Sequence, residues 1–196
     1  MNNNCSTGST ALYQCYQTIA TSQADCALAL GFEKMQRGSL VANFTDRSNP
    51  MDEFVLLNHE LRGTAKGPLM PQLFGNAGRE HMEKYGSKPH HFAKIAEKNH
   101  RHSANNPYSQ FRDVYSLEAV EKSPMIYEPL TKLQCCPTSD GAGAAIIASE
   151  DFVIKHGLEA QAVEIVGMSL KTDFISTFEN RSSIDLIGGK MASATA

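Results

Sequence analysis

Asn2-Asn3-Asn4-Cys5-Ser6-Thr7-Gly8-Ser9-Thr10-Ala11-Leu12 opens the chain, and Cys26-Ala27-Leu28-Ala29-Leu30-Gly31-Phe32 follows it closely. Ala11, Leu12, Cys15, Ile19 and Ala20 recur at helical spacing, which predicts a helix from about Ser6 to Ser22 with Ser and Thr crowding its N-cap. The second stretch is a short apolar run bounded by Asp25 and Glu33, and it reads as a strand buried on both faces. A helix followed by a buried strand is α/β grammar.

Outward from that start, residues 33 to 72 lack periodicity and hold Gly38, Asn49-Pro50, Gly63, Gly67-Pro68 and Pro71. They read as an extended excursion, too long for a plain connection within a sheet. Phe74, Ala77, Gly78, His81, Met82 and Tyr85 then mark a helix ended by Gly86, and Pro89 opens another carrying Phe92, Ile95, Ala96 and Asn99. Asn105-Asn106-Pro107 breaks it, and residues 108 to 140 read as mostly irregular. Ala142 to Ser149 is a second buried strand, Glu150 to His156 a short helix stopped by Gly157, and Ala162 to Ser169 a third strand. Beyond Phe174 the pattern fades, and the tail from Gly188 to Ala196 reads as disordered.

Composition limits the function classes. With 41% hydrophobic residues in 196, the chain can bury a core. A net charge of −3 argues against general nucleic-acid binding, and no apolar run reaches the ~18 residues of a membrane span. The N-terminal residues carry no signal-peptide pattern. Cys5, Cys15, Cys26, Cys135 and Cys136 form an odd set without framework spacing, which reads as reduced thiols.

Cys5 is the sharpest chemical feature. A cysteine at a helix N-terminus meets unpaired backbone N–H groups and the positive end of the helix dipole, and both favour the nucleophilic thiolate. A buried structural cysteine beside a cap fits the same position. Cys15 and Cys26 are expected on the core face. His81, His90, His91, His100 and His102 show neither His-Glu-x-x-His spacing nor an accompanying acidic cluster, so no metal ligand is assigned. Residues 79 to 113 nevertheless carry net charge +3, leaving −6 on the remainder. That asymmetry suits a phosphate-bearing ligand, and a solvated basic face suits it equally.

Taken together, the segment around Cys5, Leu28-Ala29-Leu30-Gly31-Phe32-Glu33-Lys34-Met35, His81-Met82-Glu83-Lys84-Tyr85-Gly86, Asn105-Asn106-Pro107-Tyr108-Ser109-Gln110-Phe111 and Leu133-Gln134-Cys135-Cys136-Pro137-Thr138-Ser139-Asp140-Gly141 resemble, in order, the thiolase superfamily in its sterol-carrier branch. The likeness runs through about Asp173. It implies a thiolase-like α/β fold layered α/β/α/β/α and present here only in part. Residues 1–32 with 134–160 would form most of the first half, 33–133 the inserted loop domain, and 161–196 the start of the second half. It implies Cys5 as the nucleophile, with Phe74 and Cys136 lining the pantetheine channel. The activity implied is thiolytic cleavage of a branched-chain or sterol side-chain 3-oxoacyl-CoA in peroxisomes, in a homodimer, with coenzyme A as substrate and no bound cofactor.

The family's His-Asp-Cys-Phe, Gly-His-Pro and Cys-x-Gly segments do not occur among these 196 residues, and Ala194-Thr195-Ala196 is not a Ser-Lys-Leu signal. The stretch therefore reads as the middle of such an enzyme, with the cytoplasm as the other address. A non-catalytic remnant binding acyl-CoA or a partner chain is the alternative, and a histidine-rich metal module a third.

Overall fold

The computed structural model describes residues 1–36, 38, 44, 46–174 and 177–188. It divides into two compact units, Met1–Ser39 with Thr138–Thr172, and Leu40–Pro137 with Asp173–Ala196.

In the first unit, helix α1 (Thr7–Ala20) leads to strand β1 (Cys26–Glu33). β1 pairs antiparallel with β4 (Gly141–Ala148), from Cys26 opposite Ala148 to Glu33 opposite Gly141. Both expected elements and the expected second strand are present. Asp140 fixes one end of the ladder, accepting from Met35 N–H at 2.7 Å and pairing with Lys34. At the other end Ser149 N–H donates to the Asp25 carbonyl at 2.9 Å. The Ser149 hydroxyl then accepts from Phe152 N–H and starts α6 (Glu150–Lys155), which Gly157 ends in the left-handed region at φ +64.

Two expectations about this unit need correcting. β1 is covered on one face only. Ala29 is buried, and the first turn of α1 lies on β1 where Gly8 meets Gly31, so close that a Cβ on Gly31 would stand 2.8 Å from Gly8 Cα. On the other face Leu28, Phe32 and Ile146 are 62%, 73% and 70% exposed, because α1 is the one layer that the described residues of this unit stack on the sheet. The expected third strand at 162–169 is absent. Its residues find no ladder partner among the described residues, and Val163 and Val166 stand exposed. Apolar residues alone do not make a strand; a paired backbone does.

The second unit is mainly helical. α3 (Leu69–Tyr85) ends at Gly86, φ +70, and α4 (Pro89–Ser103) begins on Pro89, both as expected. The excursion also contains a helix that periodicity missed, α2 (Asp52–Arg62). Its signals are at its ends: Asn49 N–H donates to the Asp52 carboxylate at 2.9 Å, and Gly63 follows Arg62 at φ +78. The expected irregular stretch holds α5 (Leu117–Lys122), the hairpin β2 (Met125–Tyr127) and β3 (Leu130–Thr131), and a short 3-10 turn. Ala93, Ala96 and Val120 form a small core flanked by Tyr115, Leu117 and Leu133.

α3 packs against the β2–β3 hairpin through Gly75 and Gly78, which meet Tyr127 and Pro129. Tyr127 hydroxyl donates to Asn76 at 2.8 Å, and Asn76 amide donates to Asn58 of α2 at 3.0 Å, so three elements share one buried polar chain. Downstream of Phe174, α7 (Ser183–Leu186) packs on α3 and α2. Glu80 of α3 accepts from Ser182 hydroxyl and Ser183 N–H, both at 2.6 Å. The part of the expected disordered tail at 189–196 lies outside the described residues.

Candidate functional site: the Cys5 turn

Cys5 stands exposed one residue before Ser6, the N-cap of α1. The three asparagines and the Ser/Thr run around it build a dense local network. Asn3 carbonyl accepts from Ser6 N–H at 3.1 Å and Ser6 hydroxyl at 2.9 Å, and Asn3 N–H donates to Thr7 hydroxyl at 2.9 Å. Thr7 hydroxyl donates to Asn4 carbonyl at 2.7 Å. Asn4 itself takes a left-handed conformation, φ +47, which asparagine tolerates better than most residues.

The expected Ser/Thr cap forms differently. The Ser6 hydroxyl turns back to Asn3 rather than capping α1, and no side chain caps the helix. Gly8 and Ser9 N–H therefore meet no acceptor among the described residues. Such free first-turn amides, with the helix dipole behind them, attract negative charge. The approach of Gly8 to Gly31 fixes this turn against β1. Sequence reading placed Cys5 and the helix but missed Asn3, Thr10 and Gly31; an Asn and a Thr seven residues apart across a helix start were the available signal.

The other predicted residues lie in the second unit. Phe74 is on α3 and half exposed, and Cys136 is exposed beyond the 3-10 turn. Burial pushes the neighbouring Cys135 thiol up, with a smaller contribution from Cys136. Cys26 is exposed and Cys15 half-buried, so the expected core placement fails for Cys26; it starts β1 on the same uncovered face as Leu28 and Phe32.

Three of the histidines hold structure. His100 ring nitrogen bonds Leu133 carbonyl at 2.9 Å and its ring meets Tyr115 edge-on; His81 bonds Ser87 hydroxyl at 2.9 Å. His91 accepts from Lys88 N–H at 3.1 Å, and desolvation, then His90, Lys94 and Lys88, hold its pKa below the ordinary value. Among the described residues no three His, Cys, Asp or Glu side chains gather to hold a metal ion.

The charge of residues 79–113 resolves on folding. Arg62 takes Glu83 in a bidentate pair at 2.8 and 2.9 Å and lies 3.8 Å from Glu80, while Glu97 pairs with Arg101. Three of the segment's acids are thus paired, two of them with the same arginine. Lys94 and Lys98 pair with no acid among the described residues and stand exposed on α4, beside the exposed Ile95.

Comparison with known proteins places this geometry. The family model described as thiolase, N-terminal domain, matches residues 1–151. Over all 196 residues the chain is 57% identical to sterol carrier protein 2 of Oryctolagus cuniculus, covering 36% of that protein. It is 31% identical over 152 residues to the acetyl-CoA acetyltransferase of Methanothermobacter thermautotrophicus, covering 78% of this chain and 37% of that protein. Among solved structures, the Ltp2-ChsH2(DUF35) aldolase is similar in fold, with a TM-score of 0.57 at 22% identity over 74% of this chain and 36% of that chain. The chain thus spans little more than a third of the length of these relatives. With its helix N-terminus set on an α/β sheet behind an exposed cysteine, and with that match, the chain belongs to the thiolase N-terminal domain family and has a thiolase-like α/β fold.

Proposed function

We propose that this chain carries the acyl-accepting cysteine of a 3-oxoacyl-CoA thiolase. The observation that supports this most is the exposed Cys5 held before an uncapped helix whose Gly8 and Ser9 N–H meet no acceptor among the described residues. In this reading the Cys5 thiolate attacks the 3-keto carbon. The carbon–carbon bond breaks, the acyl group stays on Sγ, and the departing enolate takes a proton to leave as acetyl-CoA or propanoyl-CoA. Coenzyme A thiol then attacks the acyl-cysteine and regenerates Cys5. The turn before the helix contributes by fixing the position of the thiol.

Phe74 and Cys136 line the pantetheine path in this reading, and Lys94 and Lys98 meet the phosphates of coenzyme A. Coenzyme A is a substrate, and the chain needs no resident cofactor. Branched-chain or sterol side-chain acyl groups, a homodimeric enzyme and a peroxisomal address complete the proposal.

Intact-mass measurement after incubation with acetoacetyl-CoA tests it. One acyl adduct is expected, mapped to Cys5 and absent from Cys5→Ser; an adduct on another cysteine alone would overturn the assignment. A second reading is favoured by one fact: these 196 residues contain no Gly-His-Pro or Cys-x-Gly segment to supply the acid and base. General acid–base help contributes ~10²–10⁴-fold. The 196-residue chain is therefore expected to take up acyl groups stoichiometrically without turnover. If it binds acyl-CoA and forms no adduct at all, it is a binding module.

A further inference from the structure

The one buried residue of α1 is a threonine, Thr10, only 5% exposed. A valine would fill the same volume without burying a hydroxyl, and a buried hydroxyl destabilises unless it is hydrogen-bonded. Thr10 satisfies its hydroxyl twice. Oγ1 donates to the Ser6 carbonyl at 2.8 Å and accepts from the Asn3 side-chain amide at 3.0 Å.

The second bond is the informative one. The bond to Ser6 is the ordinary back-bond of a helical threonine. The bond from Asn3 reaches across seven residues, out of the helix and past Cys5. Asn3 is held at three polar groups: its N–H by Thr7, its carbonyl by Ser6, its side-chain N–H by Thr10. Cys5 sits between the two ends of this tie, with the left-handed Asn4 before it and the uncapped turn after it.

We infer that Thr10 and Asn3 are positioning residues for Cys5: their side chains lash the cysteine turn to the first turn of α1 and so fix where the thiol stands at the helix start. The inference deepens the proposed function and rests on Cys5 being its nucleophile. It assigns a role to a buried polar pair that packing alone does not require. Gly31 completes the arrangement from below, since it lets the helix start seat on β1.

The test is the second-order rate of iodoacetamide alkylation at each cysteine of the 196-residue chain, followed by peptide mass spectrometry across pH. In Thr10→Val the Cys5 rate at neutral pH should fall roughly fivefold to tenfold, the effect of one or so lost hydrogen bonds. Its pH profile should change with it, and the rate at exposed Cys26 should stay unchanged. Thr10→Ser, which keeps the hydroxyl, should restore both. Asn3→Ala, which leaves the Thr10–Ser6 bond in place, should reproduce the Thr10→Val effect and decides the matter if Thr10→Val loses its helical circular dichroism. A Cys5 rate and profile unchanged in Asn3→Ala, with the acyl adduct retained, overturns the positioning role alone. No acyl adduct in the unsubstituted chain, with the Thr10 effect retained, overturns the acyl-transfer reading instead.

Discussion

At the scale of single residues, the five cysteines separate by environment rather than by spacing. Cys5, Cys26 and Cys136 are exposed, and Cys135 is partly buried beside Cys136. Burial disfavours the charged form, so the Cys135 thiol ionises at higher pH than an ordinary cysteine. Alkylation of Cys135 should lag behind Cys136 near neutral pH, and the gap should narrow as the pH rises past 9. Peptide-resolved alkylation at several pH values checks this, and equal rates at neutral pH would contradict it. His91 shows the same logic with opposite sign of charge. Its folded pKa lies below 6.5, so it is neutral at neutral pH and accepts from Lys88 N–H at the start of α4. That contribution is present above the unfolded pKa and is lost as pH falls through the folded one.

At the scale of elements, the seat of α1 on β1 depends on one bare backbone position. Gly31 and Gly143 face each other across the ladder, yet they differ completely in surroundings. A Cβ on Gly31 would stand 2.8 Å from Gly8 Cα, a backbone atom that cannot swing away, whereas a Cβ on Gly143 would meet nothing within 4 Å. Gly31→Ala should therefore destabilise the first unit by about 1–3 kcal/mol, the usual range for overpacking. Gly143→Ala should stay near neutral. Chemical denaturation of both variants makes the comparison, and equal losses would show that the contact is not what sets the helix. The same element scale explains α2. Its four consecutive apolar residues, Phe54 to Leu57, mask the period that Phe54, Leu57 and Leu61 keep, but Asp52 and Glu53 at its start and Gly63 at its end bound it.

At the scale of the whole molecule, charge is sorted by folding. Arg62, Glu80, Glu83, Glu97 and Arg101 satisfy one another, and what remains outward on α4 is cationic. Exposed lysines interact with phosphates through solvent, so their effect is modest and screened by salt. Lys94→Glu with Lys98→Glu should weaken coenzyme A binding several-fold at low ionic strength and much less at ~0.5 M salt, where the Debye length falls to about 4 Å. Calorimetric titration at both ionic strengths measures it. Unchanged affinity at low salt would leave these lysines as a solvated face.

The family, the helix behind Cys5, the two apolar runs that became β1 and β4, and the stops of α3 and α4 are legible in the order of residues. Each rests on a signal carried within a few residues: a 3.6-residue period, a glycine just past a helix, a proline at its first position. Tertiary structure alone decided what depends on a distant partner. Ala162 to Ser169 has strand composition but no neighbouring backbone to pair with. Leu28 and Phe32 look like core residues, yet the described residues of their unit supply one covering layer and not two. Thr10 reads as a polar residue on a helix and becomes the buried tie to Asn3, because Gly31 lets the helix start settle onto the sheet. Local periodicity fixes which face of an element is apolar; only the packed partners fix what that face meets.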